Sequence, residues 1–139
     1  MKIVIQRVKR AKAVINVATH SEIGPGLVAL VGIHKDDGEA DVAKMAKKLL
    51  KIRLFDEWEH SVVSAEKELL CLSQFTLFAR FKGQRPSFHL AHREAIDLWD
   101  YFLQCISQEY AVKSGVYAAM TQVELVNDGP VTVILDSNE

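Results

Sequence analysis

The stretch QVELVNDGPVTVILD, residues Gln122–Asp136, decides the fold that we predict for this chain. The segments on either side of its Gly-Pro pair are rich in β-branched residues and alternate closely enough to indicate strands. Gly129 tolerates backbone angles that other residues avoid, and Pro130 fixes its own φ and has no N–H to donate. We therefore expect a hairpin whose bend, Asn127–Thr132, leaves carbonyls near the turn unpaired and pointing outward.

Length and composition are those of one globular domain, because 139 residues suffice for a core of their own. The net charge is −1, so any contact with RNA must come from a local patch. No apolar run approaches the roughly 20 residues that a membrane helix requires, and we expect no signal peptide and no membrane partner. Cys71 and Cys105 have no CxxC partner, and two reduced thiols suggest the cytosol.

The rest of the chain predicts alternating strands and helices. An opening strand at Lys2–Val8 is followed by a turn or bulge at Lys9–Arg10 and a second strand at Ala13–Val17. Asp36, with Glu39 three positions on, resembles a capping box. The other predicted elements are a buried strand at 27–33, a helix with the apolar stripe Val42, Met45, Ala46, Leu49 and Leu50, a short strand at 52–55, a strand at 68–75, and a second helix carrying Ala95, Leu98, Trp99, Phe102 and Ile106.

Familiar catalytic patterns are missing from the sequence. It has no GxSxG elbow, and no histidine is placed to serve Ser73 or Thr76. It also has no HExxH pattern and no phosphate-cradling glycine loop, so we predict neither a metal site nor a cofactor. By elimination, a site in this chain uses backbone amides, hydroxyl groups and shape.

The polar segment Ser73–Thr76 fits that description. It interrupts an apolar strand where we expect the strand to leave the sheet, which would free backbone N–H groups. Amides aimed at one point form an oxyanion site, and one such donor contributes roughly 3–4 kcal/mol. The structural alternative is that Ser73 and Thr76 cap the strand end while Gln74 faces solvent.

Two sets of basic residues have open interpretations. Arg7 lies within a strand-like run, where it either faces solvent or donates to a buried carbonyl. The lysines Lys44, Lys47, Lys48 and Lys51 of the first helix form either a solvated face or a contact with phosphates.

Two motifs taken together resemble a known family. Ser73–Leu77 (SQFTL) and Asn127–Thr132 (NDGPVT) closely resemble the signature motifs of the D-aminoacyl-tRNA deacylases. The likeness spans nearly the whole chain, since it includes Ile5–Val8, Glu22–Leu27 and Lys82–Phe88. Either motif alone is a weak signal, but both motifs in order, within these flanks, are a strong one.

The resemblance implies a homodimer in which each active site is completed by the partner subunit. Gly129-Pro130 would be a cis element that reaches into the partner's pocket, where its carbonyls bind the α-amino group of the substrate. A rigid backbone wall then admits the α-hydrogen of a D-residue and excludes an L side chain. The substrates implied are D-aminoacyl-tRNA and glycine misattached to alanine tRNA.

The resemblance also assigns roles to individual residues. Ser73, Gln74, Phe75 and Thr76 would surround the ester, with either Thr76 as nucleophile or catalysis by backbone amides, a water and the terminal 2′-OH. The second mechanism is favoured because no base is evident for Thr76. Arg7 would hold the Gly-Pro loop, and the acceptor-end phosphates would meet Lys82 and Arg85. The full substrate-binding set would be Gly129, Pro130, Arg7, Tyr117, Thr121 and Thr132.

One region departs from the family pattern. Where the family usually has Phe-Gly-Ala followed by Met, this chain has Tyr117-Ala118-Ala119 and Thr121 on the adenosine side of the pocket. We predict an α+β single domain with curved, barrel-like, mainly antiparallel sheets and two main helices packed outside. Its predicted activity is D-aminoacyl-tRNA hydrolysis, and the rival is a noncatalytic nucleic-acid-binding or scaffold dimer.

Overall fold

The first strand is the axis of the sheet. In this computed structural model, which describes residues 1–139, β1 covers Lys2–Ile15. It pairs antiparallel with β2 (Ala18–Ile23), β3 (Gly26–Gly32) and β10 (Gln122–Asp136). Of the predicted turn or bulge at Lys9–Arg10, the bulge is confirmed, because the register with β10 shifts between Val8 and Arg10. The separate second strand is wrong, because β1 continues through these residues and the chain reverses later, at Asn16 and Val17, which both have positive φ.

The predicted hairpin at residues 122–136 is also wrong, because β10 is one strand. Both of its arms pair with β1, and Gln122 lies opposite Val14 while Leu135 lies opposite Ile3. The ladder has its widest interruption in the middle, where residues 128–131 are opposed by Arg7 alone, and its register shifts again between Val8 and Arg10. This segment is a bulge, which suits Pro130 because a proline has no N–H to give to a ladder.

The remaining strands curl the sheet into a nearly closed barrel. The strand order is β10-β1-β3-β6-β9, where β6 is Glu68–Ser73 and β9 is Lys113–Ser114, and β2 pairs with β1. The Ser21 hydroxyl donates to the Ser114 carbonyl at 3.0 Å and links β2 to β9. The barrel-like α+β prediction is confirmed, although β3–β6 and β6–β9 are parallel pairs in an otherwise antiparallel system.

Two helices, α1 (Glu39–Lys51) and α2 (Ile96–Ser107), pack on the outer face of the sheet. All five residues of the predicted α1 stripe are buried, and Trp99, Phe102 and Ile106 of α2 are buried with them. Neither helix has the length and apolar composition needed to cross a lipid bilayer.

The predicted cap of α1 is wrong. The N-cap is Gly38, whose N–H donates to the Asp41 carboxylate at 2.9 Å. Asp36, the predicted cap, lies in the turn before the helix, where its N–H donates to Nδ1 of His34 at 3.1 Å. The adjoining Asp37 accepts from the His34 N–H at 2.7 Å and pairs with the amino group of Met1 at 2.8 Å. These contacts hold residues 34–37 in a turn, so the helix begins after them.

The two faces of β6 explain its continuous apolar run. Leu69 and Cys71 pack toward the helices, whereas Leu70 and Leu72 point into the barrel. A strand buried on both faces needs no polar alternation. Two short hairpins complete the fold: β4 (Arg53–Phe55) with β5 (His60–Ser61), and β7 (Arg80–Phe81) with β8 (Pro86–Ser87).

The close approach of β3 to β6 predicts that Gly26→Ala unfolds or severely destabilises the protein. A Cβ at Gly26 would lie 1.9 Å from the Glu68 carbonyl oxygen, so two paired backbones would have to separate. We expect a loss of about 3 kcal/mol or more in the free energy of unfolding, measured by urea denaturation. Gly38→Ala is the control, because nothing lies within 4 Å of a Cβ there. Equal stability of the two variants would contradict this packing.

Candidate active site

A cavity of about 700 Å³ opens where the parallel strands β3 and β6 end. Such a concave, mainly apolar site is the usual form of a small-ligand pocket. Its walls come from the end of β3, the segment after β6, the loop before α2 and the segment after β9. The lining residues are Val31, Ile33, Ser73, Gln74, Phe75, Pro86, Ser87, Phe88, Ala91, His92, Arg93, Ala95, Tyr117 and Ala118.

The predicted motif forms the floor of this cavity by leaving the sheet. The Gln74 N–H donates to the Val31 carbonyl at 2.7 Å, and a 3₁₀ helix follows at Phe75–Phe78. The first N–H groups of a helix find no acceptor within it. The N–H groups of Phe75 and Thr76 therefore have no acceptor within the helix, and their use by a ligand oxygen stays a prediction.

The motif side chains contain no nucleophile–base pair. The Gln74 amide donates to the Thr76 hydroxyl, and an amide cannot take up its proton. Thr76 is exposed and does not line the cavity. Phe75 is 55% exposed and its ring packs edge-on against Phe88, with a centroid distance of 4.9 Å.

The thiol nearest to the motif is inert. Cys71 precedes Ser73 by two positions on β6 and is fully buried on the helix side of the sheet. This burial raises the pKa of the Cys71 thiol well above its ordinary value, so the group stays protonated. No cluster of three or more His, Cys, Asp or Glu side chains is suited to hold a metal ion.

The Arg7 side chain binds the backbone of two distant segments, one in β10 and one in β4. Its Nε donates to the Asp128 carbonyl at 3.1 Å, and its Nη1 donates to the Leu54 carbonyl at 2.6 Å. Of the two interpretations of Arg7, the carbonyl donor is confirmed and the solvent-facing side chain is wrong. The adjoining Gly129–Pro130 peptide is cis, and Gly129 has a φ of +125° that favours glycine.

Only part of the predicted site is collected within one chain. Ser73, Gln74, Phe75 and Tyr117 line the cavity, whereas the other predicted residues lie outside it. The residues outside are Arg7, Gly129, Pro130, Thr132 (which donates to Gln6), Thr121 (which donates to the Ala119 carbonyl), Thr76, and Lys82 and Arg85 in the exposed β7–β8 region.

Sequence reasoning missed the cavity wall formed by the loop before α2. His92 and Arg93 line the cavity there, and the His92 N–H donates to the Ile33 carbonyl at 2.9 Å. Ser87 also lines it, and its hydroxyl lies 2.8 Å from Nδ1 of His89. The available signal was the run of basic and histidine residues at 80–93, which has no strand or helix periodicity.

The departures at 117–118 have local structural consequences. The Tyr117 hydroxyl accepts a hydrogen bond from the Ala95 N–H at 3.1 Å, and so caps α2, which has no side-chain cap of its own. A phenylalanine could not make this bond. Ala118 has a φ of +62°, a conformation in which glycine is favoured, so this chain adopts it with alanine at a cost of about 1 kcal/mol.

Comparison with known proteins identifies the group to which this architecture belongs. A sequence profile described as D-Tyr-tRNA(Tyr) deacylase matches residues 4–136. Two proteins named D-aminoacyl-tRNA deacylase are similar to this chain. One, from Drosophila melanogaster, is 45% identical over 100% of this chain and 94% of its own length. The other, from Carboxydothermus hydrogenoformans, is 43% identical over 98% of this chain and 99% of its own length.

Solved structures show the same fold. The structure titled c-Myc DNA Unwinding Element Binding Protein superposes with a TM-score of 0.93 at 39% identity, covering 98% of both chains. A probable eukaryotic D-amino acid tRNA deacylase superposes with a TM-score of 0.83 at 15% identity, covering 96% of this chain and 97% of its own, and supports the fold alone. The profile match and the two close relatives, together with the motif that floors the cavity, show that this chain belongs to the D-Tyr-tRNA(Tyr) deacylase family.

Proposed function

We propose that this protein hydrolyses the ester bond of D-aminoacyl-tRNA and releases free tRNA and the D-amino acid, as a proofreading step of translation. The observation that carries the proposal is a cavity lined by Ser73, Gln74 and Phe75, beside the unbonded N–H groups of Phe75 and Thr76, in a chain of the deacylase family. Residues 1–139 act as one deacylase-like domain in the cytoplasm. The reaction needs no metal and no cofactor.

The active unit is a homodimer in which the bulge of one subunit completes the cavity of the other. Residues 128–131 have left the ladder, so their backbone is free to contact a ligand. The bulge and Arg7 nevertheless do not line the cavity of their own chain. The β10 strand that carries them is an edge strand, and Val123 and Ile134 on it are apolar and exposed. An unprotected apolar edge is suited to a second copy of the same chain.

Handedness is selected by exclusion at one carbon. The carbonyls of Gly129 and Pro130 accept hydrogen bonds from the α-amino group of the substrate. The space beside its α-carbon then holds the α-hydrogen of a D-residue but not the side chain of an L-residue. Glycine has no side chain to exclude, so glycyl-tRNA mischarged on alanine tRNA is a second substrate. Arg7 fixes the bulge through the Asp128 carbonyl, which makes it a positioning residue.

The ester is cleaved by water, with backbone amides stabilising the charge. The oxygen of the water adds to the ester carbonyl, and the resulting oxyanion accepts hydrogen bonds from the N–H groups of Phe75 and Thr76. Collapse of this intermediate breaks the bond to the 3′-oxygen of the terminal ribose, which leaves with a proton that the attacking water gives up and the neighbouring 2′-OH relays. Ser73, Gln74 and Phe75 orient the ester.

The nucleic acid is held around the cavity. Tyr117, Thr121 and Thr132 contribute to substrate binding, with Tyr117 on the adenosine side. Lys82 and Arg85 are exposed on the β7–β8 hairpin and contact phosphates of the acceptor end.

A second candidate is a dimer that binds nucleic acid without turnover. The observation in its favour is the 39% identity to a protein whose structure is titled a DNA unwinding element binding protein. In this candidate, the departures Tyr117, Ala118 and Thr121 abolish release while the fold is kept.

Deacylation of charged tRNA separates the two candidates. We expect the protein to release D-tyrosine from D-tyrosyl-tRNA and to leave L-tyrosyl-tRNA intact, because the bulge excludes an L side chain. Release of labelled amino acid is measured with and without EDTA, and the rate is expected to be the same in both. Binding of D-tyrosyl-tRNA without release would overturn hydrolysis and favour the second candidate.

The role of Thr76 is tested by Thr76→Ala. Because the only side-chain partner of the Thr76 hydroxyl is the donating Gln74 amide, we expect kcat on D-tyrosyl-tRNA to fall only a few-fold. Loss of an obligatory nucleophile would instead lower kcat by about 10⁴-fold or more, and that outcome would exclude catalysis by amides and water. Thr19→Ala on β2 is the control for removal of an exposed threonine hydroxyl away from the proposed site.

Mixed dimers test whether the site is shared between subunits. One subunit carries Gly129→Val, which spoils the bulge, since even a Cβ there meets the Val131 side chain at 2.9 Å. The other carries Ser73→Tyr, which fills the cavity. We expect each homodimer to be inactive and the co-expressed mixed dimer to regain about half of the wild-type kcat, because one cavity then faces one intact bulge. An inactive mixed dimer would show that each chain builds its own site.

A further inference from the structure

Four lysines form one face of α1, which we call the lysine face: Lys44, Lys47, Lys48 and Lys51. They follow the i, i+3, i+4, i+7 spacing that brings side chains together along a helix. The opposite side of α1 is buried against the sheet. The four lysines and Ile52 border a shallow trough of about 350 Å³.

The charge of this face is not neutralised within the chain. None of its four amino groups lies within 4.0 Å of a carboxylate. The acids of α1, Glu39 and Asp41, are in its first turn, and Asp41 accepts the Gly38 N–H. Like charges at this spacing repel one another, and the helix dipole favours only those in the last turn, Lys48 and Lys51. In a chain of net charge −1, the face is a local positive patch.

The patch leads to the bulge. From Lys51 the chain passes directly into β4, where the Leu54 carbonyl accepts a hydrogen bond from Arg7. The same guanidinium donates to the Asp128 carbonyl, at the start of the bulge. One end of the lysine face is therefore tied, through β4 and Arg7, to the segment that completes the partner's cavity in the proposed dimer.

We propose that the lysine face binds the phosphate backbone of the tRNA whose 3′ end occupies the partner's cavity. The inference rests on the proposed function and adds a cross-subunit contact to it: one subunit binds the ester and the other holds the helical stem. The face spans about 10 Å along the helix, on the order of three phosphates of one strand. Lysine contacts phosphate as a point charge, so the contact adds affinity without sequence preference.

The test compares Lys47→Gln/Lys51→Gln with the control Lys12→Gln/Lys67→Gln, which removes the same charge on other surfaces. Each dimer is assayed on full-length D-tyrosyl-tRNA and on 3′-D-tyrosyl-adenosine, which lacks the stem. We expect the lysine-face variant alone to lose kcat/KM on the tRNA, and both variants to match wild type on the adenosine ester. The unfolding midpoint of the lysine-face variant is expected not to fall, because a like-charge repulsion has been removed.

Salt dependence is the second readout. Removal of two phosphate contacts is expected to make the negative slope of log(kcat/KM) against log[salt] less steep by about 2. The ratio of wild-type kcat/KM to variant kcat/KM on the tRNA should therefore shrink roughly ten-fold between 50 and 200 mM salt. If wild type hydrolyses the tRNA and the lysine-face variant matches the control, this inference is overturned and the proposed function stands. If wild type hydrolyses neither substrate, both the proposed function and this inference are overturned.

Discussion

The antiparallel pairing of β1 with β10 is interrupted most widely at residues 128–131, and the arrangement of the molecule depends on the hydrogen bonds that Arg7 makes there. Residues 128–131 have no ladder partner, so their backbone needs other donors. Arg7 supplies one to Asp128 and another to Leu54, with the Asp128 carboxylate 3.6 Å away. The forked guanidinium makes both bonds at once, and hydrogen bonds of charged groups contribute about 1.5–3 kcal/mol each.

A second constraint creates the cavity. Parallel pairing brings the ends of β3 and β6 to the same edge of the sheet, and the Gln74 N–H keeps its bond to Val31 while the following residues turn away. The turn is a 3₁₀ helix, whose first amides face no carbonyl of their own. Polar backbone is thus exposed at the floor of a mainly apolar cavity, where charge is stabilised more strongly than in water.

The departures from the family pattern change the walls of this cavity without removing them. Ala118 keeps the left-handed backbone that a glycine would adopt with less strain. The Tyr117 hydroxyl binds the first turn of α2, and its ring lies 6.5 Å from that of Trp99, so the cavity wall and the helix are joined. The cavity wall at 117–118 is therefore fixed by its contacts with α2.

The sequence by itself determined the elements that are local in origin. The α1 stripe, the α2 stripe and the buried strands were predicted because side-chain burial follows the period of each element, and Ser73–Thr76 was singled out because polar residues end an apolar run. The cap at Gly38 was missed in favour of Asp36, since the turn that holds Asp36 before the helix is fixed partly by the contact of Asp37 with the amino group of Met1, which is distant in the chain. The lining residues Ser87, His92 and Arg93 were missed because a loop has no period.

Only the tertiary structure decided that residues 122–136 are one strand. An alternating pattern on both sides of Gly129-Pro130 is the same whether the two arms pair with each other or both pair with β1, and that choice depends on contacts more than a hundred positions apart. Long-range contacts also decide that Arg7 donates to carbonyls and does not face solvent. Its acceptors, Leu54 and Asp128, lie in segments that no local sequence pattern brings together.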